Sequence, residues 1–225
     1  MSWMRKPFPF TAVLFDLDGV LIDATDLHYR VWDEFARARG FVPSREQILA
    51  TNGRRADETI RLWLRSSLTD HQVAAIAAER ETYFNRLLEK ESVPVVPGAV
   101  ELVDEVRTAG LPYALVTSSE PEVVDAVLAG LDVEFPVIVC AADVAHTKPD
   151  PEGYLLAAAK LGAEPGQCIA LEDSVNGVTA AEAAGFRTVA VPSVVPVPER
   201  PGRVVVESLA GMTLAELAAR AGFAI

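Results

Sequence analysis

Short apolar runs of strand length recur along the chain at residues 11–17 (TAVLFDL), 113–116 (YALV), 137–140 (VIVC), 168–171 (CIAL) and 188–191 (TVAV). They are apolar at nearly every position rather than at every second one, the pattern of strands covered on both faces. From residue 99 onward they alternate with helical patterns at 99–109, 122–129, 151–161 and 175–184. Asp150 is placed to cap the third of these helices with Pro151 in its first turn, and Gly185 stops the fourth. Such alternation demands right-handed crossovers, a parallel sheet and helices on both faces, with ligands bound beyond the carboxyl ends of the strands. A proline-rich loop at 191–202 then leads to a last short strand and helix.

The alternation is interrupted once. From Ile22 to Glu91 helical patterns such as LHYRVWDEFARARG and DHQVAAIAAERETYFNRLL follow one another without a strand. VPVVPG at 93–98 suits an extended return, because its prolines disfavour helix. The expected fold class is therefore α/β, with a Rossmann-like doubly wound parallel sheet as core (residues 1–20 and 94–225) and an inserted all-helical domain at 21–93.

At 225 residues, half of them hydrophobic, the chain can bury a sizeable core without disulfide or metal staples. Its net charge of -12 repels a nucleic-acid backbone, so no nucleic-acid partner is expected. An anionic substrate would need a local offset, either a bound cation or a few well-placed Lys, Arg and backbone N–H groups. Cys140 and Cys168 lie in apolar runs and suggest neither a disulfide framework nor a zinc site. No apolar run is long enough to span a membrane and no signal-peptide core forms, so a cytoplasmic location without membrane partner is expected. No obligatory protein partner is evident.

Polar groups gather where the strands end: Asp16 and Asp18 after the first, Thr117 and Ser118 after the second, His146, Thr147 and Lys148 beyond the third, Glu172 and Asp173 after the fourth. A parallel sheet brings these loops to one rim. Taken singly, each has an ordinary structural explanation: a solvated turn, a helix N-cap, a surface lysine or an acidic first turn. Their joint occurrence at strand ends points instead to chemistry. A carboxylate can attack phosphorus to form an acylphosphate. Four carboxylates can share a rim cheaply only around a hard cation such as Mg²⁺, which would also clamp phosphoryl oxygens.

FDLDGVLID (15–23), LVTSS (115–119), KPDPEGY (148–154) and LEDSVNGV (171–178) resemble, in order and spacing, the motifs of the haloacid dehalogenase superfamily. The nearest likeness is to the branch holding β-phosphoglucomutase and small sugar-phosphate phosphatases, and the helical insert stands where that branch has its cap domain. The resemblance implies Asp16 as nucleophile and Asp18 as general acid and base. It implies a Mg²⁺ site made by Asp16, the backbone carbonyl of Asp18 and Asp173, with Glu172 as a further ligand or as a partner that meets the ion through water. Thr117, Ser118 and Gly19 would hold the transferring phosphoryl group, and Lys148 would neutralise its charge. Dehalogenase members lack an Asp at the position of Asp18, so its presence favours phosphoryl transfer. Val20 and Thr147 depart from the common Thr and Gly without touching a reacting group.

The implied activity is Mg²⁺-dependent hydrolysis of a small phosphorylated metabolite, such as a sugar phosphate, through an aspartyl phosphate. Leaving-group contacts are expected from His28 and Trp32, four apart on one helix face, and from the loop carrying Gly53, Arg54 and Arg55. A His and a Trp at this spacing also suit plain cap packing. A phosphosugar mutase is the alternative; Ala56 and Glu79 stand near its basic cap positions, with Arg55 and Arg80 one step away. A catalytically idle binding protein on the same fold is a third possibility.

Overall fold

A computed structural model describes residues 8–64, 68–88, 90–91, 93–191, 195–200 and 203–224. The apolar runs form strands β1 (Ala12–Phe15), β2 (Tyr113–Val116), β3 (Ile138–Val139), β4 (Cys168–Glu172) and β5 (Arg187–Ala190), and β6 (Arg203–Val205) follows the proline-rich stretch. All pair in parallel, in the order β3-β2-β1-β4-β5-β6. The order reverses at β1, between β2 and β4, and the crevice at such a switch point is where doubly wound sheets bind ligands.

Alternate residues of β1 serve the two faces. Val13 and Phe15 join a large core with Leu115, Ile169 and Leu171, covered by α5 (Ala99–Thr108), α6 (Pro121–Leu131) and α9 (Leu214–Arg220). Ala12 and Leu14 join an alanine-rich layer with Ala114, Ala170 and Tyr154, covered by α7 (Glu152–Leu161) and α8 (Val175–Ala183). Small residues there allow helix and sheet to approach closely.

Between β1 and α5 lie α1 (Thr25–Arg37), α2 (Arg45–Leu49), α3 (Ala56–Leu64) and α4 (Asp70–Leu88), the helical cap region, with its own core of Trp32, Phe35, Ile48, Ile60 and Val73. Ile22 and Val95 form an antiparallel bridge where the chain leaves and returns. Asp23 N–H donates to the Pro94 carbonyl at 2.8 Å and Val96 N–H to that of Leu21 at 2.9 Å. Leu27, Val31 and Phe84 extend from α1 and α4 into the main core.

Two local expectations need correction. The third strand is confined to Ile138–Val139, because Cys140 already leads into a 3-10 turn at Ala141–Asp143. Helix α7 starts at Glu152 with Pro151 as its N-cap residue, and Asp150 Oδ1 accepts instead from the first helical N–H, that of Glu152, at 2.9 Å. Of the proline-rich stretch, residues 192–194 and 201–202 lie outside the described residues. No described helix is long and apolar enough to cross a membrane.

Candidate active site

Asp16 is the first residue beyond β1, and its N–H donates to the Leu171 carbonyl of β4 at 3.1 Å. Its carboxylate therefore sits at the switch point of the sheet. Lys148, 4% exposed, donates to Asp16 Oδ1 at 2.6 Å and to the Val116 carbonyl at 2.9 Å, and pairs with Glu172 Oε1 at 2.6 Å. The Tyr154 hydroxyl donates to the same Glu172 oxygen at 2.5 Å. Asp16, Lys148, Glu172 and Asp173 are all buried.

Two glycines make room for these carboxylates. Gly19 has φ +84°, and a Cβ on it would lie 2.0 Å from Asp173 Oδ2. A Cβ on Gly177 would lie 1.8 Å from Glu172 Oε2. Either side chain would displace the group it faces.

Lys148 alone does not balance the charge. Burial, then Glu172, hold the Asp16 carboxyl well above its usual range even though Lys148 pulls it down. Lys148 itself stays charged against burial because Asp16 and Glu172 raise it. Asp16, Glu172 and Asp173 each offer an oxygen, and these atoms lie within 4.8 Å of one another. Glu172 Oε2 is buried without a hydrogen-bond partner. An all-carboxylate donor set with excess negative charge and an orphaned buried oxygen fits a hard divalent cation.

Asp18 turns away from this cluster. His28 Nε2 lies 3.3 Å from its Oδ1, and the Ser119 hydroxyl donates to its Oδ2 at 2.9 Å. Arg80 Nη2 lies 2.9 Å from His28 Nδ1. A guanidinium only donates, so Nδ1 is the acceptor and the ring proton sits on Nε2, directed at Asp18. Burial opposes ionisation of Asp18, but His28 and Ser119 outweigh it and hold the carboxyl below its usual range. The His28 ring stacks on Phe84 at 4.4 Å, and the buried Arg80 guanidinium lies over Trp32 at 4.7 Å. Trp32 both lines the cleft and belongs to the cap core.

The other expected residues divide between cleft and seam. Thr117 is buried at the cleft, and its Oγ1 accepts from the Ser119 N–H at 3.1 Å. Ser118 lines the cleft, but its hydroxyl donates to the Gly53 carbonyl of the cap loop at 2.7 Å. Arg54 lines the cleft 3.8 Å from Glu58. Arg55 reaches across the seam to the Ala141 carbonyl at 3.3 Å and to Glu120 at 3.8 Å. Asn176 Nδ2 donates from the core side to the Asn52 carbonyl at 2.6 Å. Ser119, Tyr154 and Asn176 were not singled out from the sequence; each lies inside a quoted motif, but its partner is remote in the chain.

The profile of the haloacid dehalogenase-like hydrolases matches residues 10–185, and the chain belongs to that family. Hexitol phosphatase A of Escherichia coli K12 is 38% identical over 186 residues, 79% of this chain and 81% of that protein. Fructose-1-phosphate phosphatase from the same strain is 32% identical over 186 residues, 81% of this chain and 96% of the relative. The crystal structure of a CbbY variant from Rhodobacter sphaeroides in complex with xylulose-(1,5)bisphosphate superposes with a TM-score of 0.81 at 30% identity, covering 92% of this chain and 99% of that one. Within the family, the chain is a phosphoric monoester hydrolase.

Proposed function

We propose that the enzyme hydrolyses the monophosphate ester of a small polyhydroxy compound, a sugar or sugar alcohol, with Asp16 as nucleophile. The buried cluster of Asp16, Lys148, Glu172 and Asp173 at the switch point carries the reading. The substrate class is supported by likeness to hexitol and fructose-1-phosphate phosphatases.

An Asp16 oxygen attacks phosphorus, the ester P–O bond breaks, and Asp18, which must first take up a proton from solvent against the pull of His28 and Ser119, gives that proton to the departing alkoxide. Asp18, now a carboxylate, takes a proton from water as that water attacks phosphorus, and the acyl P–O bond breaks to return Asp16 and release phosphate. His28 and Ser119 orient Asp18 for both transfers. Thr117 and the Ser118 backbone N–H would hold the phosphoryl oxygens where charge develops, with the Lys148 charge beside them, whereas the Gly19 N–H already donates to the Ile22 carbonyl at 2.6 Å. Mg²⁺, held by Asp16, Glu172, Asp173 and the Asp18 carbonyl, would supply charge neutralisation at the phosphoryl group. The helical segment 21–93 closes over the site as a cap, with Gly53, Arg54, His28 and Trp32 toward the leaving group.

Hydrolysis is favoured over a mutase reaction by the charge at the leaving-group end. Glu81 and Glu120 line it, and Arg54, Arg55 and Arg80 each already face a carboxylate. A second phosphate there would have to displace the carboxylate that each arginine already faces, whereas hydroxyl groups would find acceptors.

Phosphate release measured over a panel of hexitol, hexose, pentose, glycerol and glycolate phosphates with Mg²⁺ tests this. The largest kcat/KM is expected for polyhydroxy monophosphates with no bisphosphate activator. Primer-dependent interconversion of hexose phosphates with negligible free phosphate would make the enzyme a mutase.

A further inference from the structure

Tyr154 is fully buried in the alanine-rich layer between the sheet and α7, α8, tilted against Phe186 at 5.4 Å between ring centroids. Packing there asks only for an aromatic ring. A phenol costs desolvation in such a layer unless its O–H is paired, and it is paired with one atom, Glu172 Oε1. That oxygen also takes Lys148, whose ammonium lies 5.5 Å from the Tyr154 ring centroid. The two oxygens of Glu172 are therefore unlike: Oε1 has two partners, while Oε2 is buried with none.

We propose that Tyr154 is a positioning residue that occupies one oxygen of Glu172 so that the carboxylate offers only the other to the cation. The inference rests on the proposed metal site. A one-oxygen carboxylate suits the small octahedral Mg²⁺, whereas Ca²⁺ accepts both oxygens of a carboxylate at longer range. Without the phenol, Oε1 keeps Lys148 as its one partner, and Glu172, held by one contact instead of two, can turn toward chelation with both oxygens. Tyr154 thus sets which divalent cation the site prefers, from outside the coordination sphere.

Metal-stripped protein titrated calorimetrically with Mg²⁺ and separately with Ca²⁺ tests this without turnover. Tyr154→Phe keeps the ring and removes the hydroxyl, and it is expected to weaken Mg²⁺ binding about tenfold while weakening Ca²⁺ less, shifting preference toward Ca²⁺. Phe186→Leu loosens the same layer without touching the hydroxyl, and it should lower the melting temperature in EDTA while leaving both affinities unchanged. Wild-type affinities in Tyr154→Phe, or an equal loss for both ions in the two variants, would overturn the positioning role. A wild-type protein that takes up no Mg²⁺ would instead overturn the metal site itself, and this inference with it.

Discussion

The position of Asp16 makes the same residue a reactive group and a source of instability. Its carboxyl is raised by burial and by Glu172, so its charge opposes folding unless a cation is present. Asp16→Asn keeps the shape, retains a partner for Lys148 in Glu172 and removes one repelling charge. Turnover should vanish while the melting temperature in EDTA stays equal to or above that of the wild type, the pattern expected when a site is built at the expense of stability. Retained turnover, or a melting temperature several degrees lower, would contradict this. His28 illustrates a different dependence. Its proton is aimed at Asp18 only because Arg80, 52 positions away in sequence, takes the other ring nitrogen.

Among the elements, the loop between β3 and α7 carries Lys148 and is tied at its base by Glu152. The two oxygens of Glu152 accept from the N–H groups of Ala145 and His146 at 3.1 and 2.9 Å. These bonds lower the Glu152 carboxyl below its ordinary value of 4.5. A lowered folded-state pKa contributes stability that is present above the unfolded value and lost as pH falls through the folded one. The melting temperature should therefore be higher for wild type than for Glu152→Gln at neutral pH, and the gap should close as pH falls below 4.5. A gap independent of pH would show that the charge is not what holds the loop. The seam between cap and core depends on Arg55 in a comparable way. Arg55→Ala removes its bonds to Ala141 and Glu120, and the pair is partly exposed, so stability should change by no more than about 1 kcal/mol. KM should rise severalfold with kcat less affected, because closure rather than chemistry is weakened. A fall in kcat at constant KM would place Arg55 in the chemistry.

Across the whole molecule, what the sequence makes legible is what is local. The strand at 113–116 is recognisable from its apolar run, and the parallel sheet follows from strands alternating with helices. Asp16, Glu172 and Asp173 stand at strand ends, so topology alone converges them, whereas Lys148 is brought in by the loop from β3 to α7. Contacts between cap and core are different, because periodicity says nothing about how two packed units dock. The Ser118 hydroxyl on Gly53, Asn176 on Asn52 and Arg55 on Ala141 all belong to that class. Tyr154 shows a further limit: the pattern announces a buried aromatic, but only the folded chain reveals that its hydroxyl meets Glu172. The account as a whole turns on covalent catalysis at the switch point of the sheet. Acid quenching during turnover of a sugar monophosphate labelled with radioactive phosphorus, followed by peptide mapping, measures it directly. The account predicts label on the peptide containing Asp16, absent in Asp16→Asn; full turnover with no label on the protein, or label on another residue, would contradict it.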